Sequence, residues 1–398
     1  MGHVVDRWTV PNPNGTRPAR VKGPRWGKGK RWLARWSGPD GRERSKAFAS
    51  KNAATAHVSD VESQIRGGTY VGPSKVTFEE YAREWLRRQV HQRPGTAAVA
   101  RARLESQPMR VLGPIPLQQI TRADLQELVV VAKSELAPST IRLMAIYVRA
   151  VLASAVEDQL IRVSPWRRVA LPEQPRSLVV PLSVEQVERM AGRLIDGRKP
   201  GETRGLPHEQ AWAWRMFLVG AQTGLRPGEL RGLTVDRVMA AGLKVDRQLV
   251  GQVARPAVPT WGPLKTDASY RVLPLARVTR GLIDEQLEMY GEGPEGLVFH
   301  RPVRGGGRRP VGRHTLSWLW SEASEGEGLA SGQGWHALRH HHASLLIAAG
   351  LSPRAVADRL GHADVAETLR TYAHLWPSDE GRIVSAIEDA YGASADAA

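Results

Sequence analysis

The stretch that most restricts this 398-residue chain is HALRHHHASLLIAAGLSPRAVADRLGHADVAETLRTYAH, residues 336–374. It holds His336, Arg339, His362 and Tyr372 within 37 positions, 336 to 372 inclusive, so the segment has to double back if these side chains are to share a site. His336 and Arg339 are three apart and lie on one face of a helix, a turn from each other. Gly361, directly before His362, permits a tight turn. Tyr372 stands near the end of a further helical run, VAETLRTYAHL. These residue types suit chemistry on a phosphate. Arginine grips two phosphate oxygens through parallel hydrogen bonds, histidine moves protons near neutral pH, and tyrosine forms covalent intermediates. His340, His341 and His342 extend the run. Neighbouring helical residues face different ways, however, and no carboxylate or thiolate set stands at ligand spacing, so no metal is expected.

A chain of this length holds two or three domains, each large enough for its own core. No apolar run approaches the roughly 18 residues that cross a bilayer. The opening MGHVVDRWTV lacks the basic-then-apolar order of a secretory signal. Cysteine is absent, which excludes disulfides and thiolate metal sites and fits a reducing cytoplasm. Charge says more. Fifty-six Lys and Arg face 40 Asp and Glu, a net charge of +16, and the surplus is uneven. Residues 1–72 carry 14 basic and 5 acidic groups, residues 73–176 carry 16 and 10, and residues 177–398 carry 26 and 25. A cationic front half is expected to grip a polyanion, and nucleic acid is the partner it fits. An anionic membrane fits less well, because no basic amphipathic helix with a strong apolar face stands out.

Along the chain, residues 1–24 lack periodicity and read as a flexible basic leader. Trp32, Ala34 and Trp36 then alternate with Arg31, Leu33 and Arg35 as in a strand, and Gly38-Pro39-Asp40-Gly41 turns the chain so that Arg42–Phe48 returns beside it. Ser50 caps a helix reaching about Ile65. Lys28, Lys30, Arg31, Arg35, Arg42 and Arg44 are the candidate DNA contacts of this small sheet. From Thr77 the pattern is helical. Thr77 and Glu80 form a capping box ahead of an apolar side made by Phe78, Tyr81, Trp85 and Leu86. A second helix starts at Gly95-Thr96, a third is capped by Thr121, and a fourth spans Ser139–Asp158 with a stripe of Ile141, Met144, Ala145, Val148 and Leu152. Residues 170–181 read as a linker. A capped helix follows at 182, then a Gly- and charge-rich loop at 196–208, a buried helix AWAWRMFLVGAQTG, short strands over 243–275, and helices again from about 278. The segment 301–312, RPVRGGGRRPVG, reads as a mobile basic loop.

Two more candidates lie in this last part. Arg226 precedes Pro227, which disfavours helical geometry before it and suits the first helical position, so Arg226 is expected at a helix mouth that favours an anion. Glu229, one turn on, is placed to hold the guanidinium. Lys265, between strand-like segments, is expected on a hairpin turn, free to swing toward a ligand.

These residues carry a resemblance. His336-Ala337-Leu338-Arg339-His340, Leu360-Gly361-His362 and Thr371-Tyr372-Ala373-His374 resemble the H-x-L-R-H, L-G-H and tyrosine motifs of the tyrosine recombinases, the phage integrase family. Thr223–Leu230 is similar to that family's T-G-x-R-x-x-E-L box, and Leu264–Arg271 to its L-K-T-x-x-S-x-R phrase. Ala337 stands where many members carry Asp. The amino-terminal sheet and helix resemble an arm-binding domain, and the four helices closing on Ser164-Pro165-Trp166 resemble a core-binding domain. The resemblance implies an α+β, mainly α protein with three parts. Residues 1–72 would be a basic leader and arm-type DNA-binding domain, 73–172 a helical core-binding domain, and 173–398 a catalytic domain with a small antiparallel sheet.

The resemblance further implies a site of Arg226, Lys265, His336, Arg339, His362 and Tyr372, with Glu229 in support. Tyr372 would attack a DNA phosphodiester to leave a 3′-phosphotyrosyl bond. Arg226 and Arg339 would clamp the non-bridging oxygens, His362 and His336 add hydrogen bonds, and Lys265 protonate the departing 5′-oxygen, with His336 also a candidate acceptor of the tyrosine proton. Neither metal nor other cofactor is implied. The expected partners are double-stranded DNA with core-type and arm-type sites, further copies of the chain in a tetramer, a host DNA-bending protein and a directionality factor. Integration and excision of a prophage or other mobile element is the expected role, on the bacterial nucleoid. A chromosome- or plasmid-dimer resolvase, a type IB topoisomerase and a non-catalytic DNA-binding regulator are the alternatives.

Overall fold

The computed structural model describes residues 2–13, 15, 17–174, 178–196, 211–250, 259–303, 306–330, 332–377 and 380–391. The chain divides into two compact units, Met1–Pro175 and Arg176–Ala398. The architecture is α+β and mainly helical, with small antiparallel sheets.

The first unit opens with strands β1 (His3–Asp6), β2 (Thr9–Pro11), β3 (Arg20–Lys22), β4 (Trp32–Ser37) and β5 (Glu43–Phe48). The alternation in β4 buries Ala34 and Trp36 against Ala54, Val58 and Val61 of α1 (Lys51–Arg66). Ser50 caps that helix by accepting the Ala53 N–H. The leader corrects the expectation of a structureless segment: β1 pairs antiparallel with β4, giving the sheet order β1-β4-β5, while β2 and β3 form a ribbon of their own. Residues 3–6 do not alternate in polarity, so their local pattern does not mark this strand. Asp6 pins this strand by accepting from Arg31, with Nη2 at 2.8 Å.

The helices α2 (Phe78–Arg88), α3 (Pro94–Glu105), α4 (Gln107–Val111), α5 (Arg122–Lys133) and α6 (Pro138–Glu157) complete this unit around a second apolar cluster. Thr77 with Glu80, and Thr121 with Asp124, form capping boxes. By length and composition α6 is apolar enough to cross a bilayer, which corrects the reading that no such run exists. Its stripe of Ile141, Met144, Ala145, Val148, Val151 and Leu152 is buried in the helical core instead. Burying each of these side chains other than Ala145 stabilises the fold by about 1.5–3 kcal/mol.

The second unit begins with α7 (Val184–Asp196), where Ser183 accepts the Gln186 N–H at 3.1 Å. The loop expected at 196–208 falls almost wholly outside the described residues. Next comes α8 (Ala211–Thr223), whose Met216, Phe217 and Val219 are fully buried, with Phe217 against Trp320 and Trp335. The chain continues through α9 (Pro227–Arg231), β6 (Val238–Met239), β7 (Gly242–Val245), β8 (Gln248–Leu249), β9 (Trp261–Gly262), β10 (Arg271–Leu273) and α10 (Arg277–Tyr290). It ends with β11 (His300–Val303), β12 (Gly307–Pro310), α11 (Arg313–Ala323), α12 (His336–Ala348), α13 (Pro353–Leu360), α14 (Val365–Tyr372) and α15 (Glu380–Tyr391). The sheet order β10-β7-β6 is antiparallel, and β8 pairs with β9. Two expectations change. The segment 301–312, expected as a loop, contains most of β11 and all of β12, which pair antiparallel. Lys265 is not on a hairpin turn: β9 and β10 pair with different strands, so Lys265 lies in an irregular connection between two sheets.

Candidate active site

Buried helix α8 carries the chain to Gly224, whose φ of +65° only glycine adopts freely. A Cβ there would lie 2.6 Å from Cδ2 of His342. Arg226 follows as the residue before α9. Glu229 accepts from the Arg226 backbone N–H and from its Nη1, both at 3.0 Å, and from Arg271 Nη2 at 3.1 Å. Arg226 Nη2 donates to Gly361 O at 2.9 Å and Nη1 to Ser269 Oγ at 3.1 Å. The expected helix mouth is present, but α9 has five residues, so its dipole is small. Side chains aim this guanidinium. Burial alone would raise the Glu229 carboxyl, and Arg271 and Arg226 more than offset that, holding it below its ordinary value. At 4% exposure Glu229 is a buried anion between two cations.

Helix α12 starts at His336 without a side-chain cap, as Ala337 in place of an acid suggests. Arg339 is 1% exposed. Its Nη1 donates to Gly224 O at 2.9 Å, while Nη2 has no partner among the described residues. Burial, then nearby Arg226, push its pKa down to about 9, so it keeps its charge at neutral pH. A cation this enclosed, with a donor to spare, calls for an anion.

The α13–α14 turn brings the rest of the segment back. Gly361 closes α13 in the left-handed conformation, with φ of +69°. His362, buried, hydrogen-bonds through Nδ1 to Thr368 Oγ1 at 2.6 Å, and its Nε2 lies 3.9 Å from Glu367 Oε1. Burial first, then Arg339 and Arg226, push His362 down to about 3. His336 is pulled down to about 4 by loss of hydration, then by His340, Arg339, Arg226 and Lys265. Its ring surface is nevertheless exposed, so water screens part of this effect and the direction, toward the neutral ring, is what matters. The same influence places exposed Lys265 within electrostatic reach of His336.

Tyr372 ends α14 at 1% exposure. Burial pushes its hydroxyl up to about 12 although Arg339 opposes this. The hydroxyl lies 2.7 Å from Nδ1 of His340. His341 instead meets Leu182 O at 2.7 Å, and His342 packs beside Arg359. The three adjacent rings thus diverge, and the described residues contain no metal-holding group of His, Asp and Glu.

Residues 179–378 match the model of the phage integrase family. The chain belongs to the phage integrase family. Every candidate from Arg226 to Tyr372 lies inside that match. Tyrosine recombinase XerC of Pseudomonas aeruginosa is 28% identical over 225 residues, covering 54% of this chain and 61% of that protein. The chain therefore spans about three fifths of that curated relative's length. The Tn1549 transposon integrase, solved with a circular intermediate DNA, shares the fold at a TM-score of 0.63 and 18% identity, over 78% of this chain and 98% of that one. The lambda integrase tetramer bound to a Holliday junction matches at a TM-score of 0.54 and 17% identity, over 84% and 92%.

In this phage integrase family member, three residues of the site carried no role in the sequence reading. Arg271 and Ser269 brace Glu229 and Arg226, and His340 meets the tyrosine. All three sit inside the motifs quoted above, but only folding shows which neighbour each one touches. Of the amino-terminal cations, Arg31 pairs with Asp6, Arg44 with Asp40 and Arg35 with Glu43, and Arg42 lies 4.0 Å from Asp40. Lys28 and Lys30 are exposed and pair with no carboxylate among the described residues.

Proposed function

We propose that this protein is a tyrosine site-specific recombinase that cuts and rejoins DNA strands through a 3′-phosphotyrosyl intermediate. One observation carries the reading: two arginines, one with a buried N–H that has no partner among the described residues, lie within electrostatic reach of two histidines held toward their neutral form and of a buried tyrosine hydroxyl. Arg226 and Arg339 take the non-bridging oxygens, where charge grows during attack, and His362 and His336 donate to the same oxygens. The Tyr372 oxygen bonds to phosphorus, the P–O5′ bond breaks, and Lys265 supplies the proton that the leaving 5′-oxygen takes up. A hydroxyl held near pKa 12 needs a base. His340, pushed toward its neutral form by burial and Arg339, accepts the proton through Nδ1. His336, the acceptor that the resemblance implies, is the alternative. Attack by another strand's 5′-hydroxyl reverses each step and seals the exchanged strand.

We further propose that residues 1–72, 73–172 and 173–398 serve as arm-binding, core-binding and catalytic domains. The chain would act in the cytoplasm on two duplexes as a tetramer, integrating and excising a prophage or other mobile element. The DNA complexes of the Tn1549 and lambda integrases support this reading. Helix α15 presents exposed Ile383, Val384 and Ile387 and suits docking on a neighbouring copy. A host bending protein and a directionality factor would assist. The XerC relative favours a second reading, a dimer resolvase; recombination that survives deletion of residues 1–72 would support it.

The test incubates wild type and Tyr372→Phe with nicked, labelled duplexes tiled across DNA beside the gene. An adduct that survives denaturation but not protease, from wild type alone and on one short segment, is expected. Adducts on every duplex would indicate a topoisomerase, and tight binding with none would indicate a regulator.

A further inference from the structure

A second arginine pair, with one member at the end of α9, repeats the electrostatic signature of the active site. Arg231, the last residue of that helix, is 2% exposed. Its Nε donates to Val311 O at 2.7 Å, its Nη2 has no partner, and no carboxylate pairs with it among the described residues. It lines a cavity of about 500 Å³ together with Arg313, Gln248, Ser317 and Gln333. Arg313 is exposed and likewise has no carboxylate partner among the described residues. It is the first residue of α11, an 11-residue helix whose N-cap Gly312 offers no side chain and whose first turn carries no acid. The N–H groups of that turn add to the positive field. Burying one cation and setting a second beside it is costly without a counter-charge. Arg313 indeed adds to burial in pushing Arg231 down, to about 10. Among the described residues no carboxylate supplies that counter-charge.

The cavity's position says what supplies it. Its wall includes Pro227 and Gly228, which directly follow Arg226, and Trp335, which directly precedes His336. One residue step is about 3.8 Å, so the cavity adjoins the site that takes the reacting phosphate. Its volume far exceeds the roughly 30 Å³ share of a water and admits a phosphate with part of its sugar.

We propose that this cavity is a second anion subsite, in which Arg231 and Arg313 hold a backbone phosphodiester of the bound DNA flanking the phosphodiester that reacts. The proposal rests on the recombinase reading for its ligand. The shared chemistry is a tetrahedral phosphate, which a free phosphate also offers, so the test separates the two.

Binding of a labelled duplex of arbitrary sequence is measured against salt for wild type, Arg313→Gln and Arg231→Met, each first checked for native circular dichroism. Arg313 is exposed, so its variant keeps the experiment interpretable if Arg231→Met misfolds. Each variant is expected to bind about tenfold more weakly at low salt, and its log–log salt slope to fall by about one. Affinity and slope equal to wild type would overturn the proposal. In a parallel arm, thermal unfolding is followed with inorganic phosphate against chloride at equal ionic strength. Stabilisation by phosphate that both variants lose, with duplex binding unchanged, would assign the cavity to a free phosphate and likewise overturn the DNA assignment. The readout is binding alone. If no duplex yields an adduct but the slopes change, the recombinase reading fails while the subsite stands.

Discussion

His340 Nδ1 lies 2.7 Å from the Tyr372 hydroxyl, across 32 residues of sequence. The candidate nucleophile and an adjacent histidine held toward its neutral form thus share one partly buried hydrogen bond. His340→Ala is expected to slow phosphotyrosyl formation about 100-fold or more, the usual size of a general-base effect. His336→Ala, by comparison, should weaken oxyanion stabilisation without flattening the pH–rate profile. Single-turnover rates against pH for the two variants decide. A His340 variant with the wild-type rate and profile would return the base role to His336.

Arg339 is buried with an open donor. Arg339→Met is expected to abolish the adduct while changing the stability of the free protein by no more than about 1 kcal/mol, because removing an uncompensated buried charge offsets the lost bond to Gly224 O. Urea unfolding measures this. A loss above about 3 kcal/mol would show that the charge is structurally compensated after all.

Glu229 joins Arg226 to Arg271 at 4% exposure. Glu229→Gln leaves two guanidiniums facing a neutral amide and should cost about 3–5 kcal/mol. Because the native carboxyl is held below its ordinary value, its contribution is complete above about pH 4.3 and is lost as pH falls through the lower native value. A variant as stable as wild type at pH 7 would contradict this.

His342 and His362 are each held down to about 3 in the fold, chiefly by burial. Between that value and the unfolded value of about 6.5 the unfolded chain binds more protons, so stability falls as pH drops below about 6.5 and shows no such slope above it. Each histidine contributes up to about 1.4 kcal/mol per pH unit in that window. Denaturant midpoints at pH 7.5 and pH 5.5 test the sign, and His342→Gln should flatten the difference.

A phosphate beside His362 and His336 favours their charged forms. DNA binding near pH 6 is therefore expected to take up protons, seen as a dependence of calorimetric binding heat on the buffer's ionisation enthalpy. Zero uptake would mean that both rings donate from their neutral state.

Much of this was legible locally. Ser50, Thr77 and Thr121 cap their helices as their short-range patterns require, and the buried stripe of α6 follows from its period. The local pattern around Lys265 reads as a hairpin turn because strand pairing depends on partners far along the chain, and the β1–β4 and β11–β12 pairings leave no local mark for the same reason.

By itself, then, the sequence determined which residue types stand in which motifs, and through caps, breaks and hydrophobic period, most of the helices. Only the tertiary structure decided that Glu229 binds two arginines, that Arg231 and Arg339 each bury a donor without a partner among the described residues, and that His340 rather than His336 meets Tyr372. Helical pattern is set within a few residues by backbone hydrogen bonds and side-chain spacing. Burial and charge pairing depend on which distant segments pack together, and they set which side chain holds the proton and which cation awaits the phosphate.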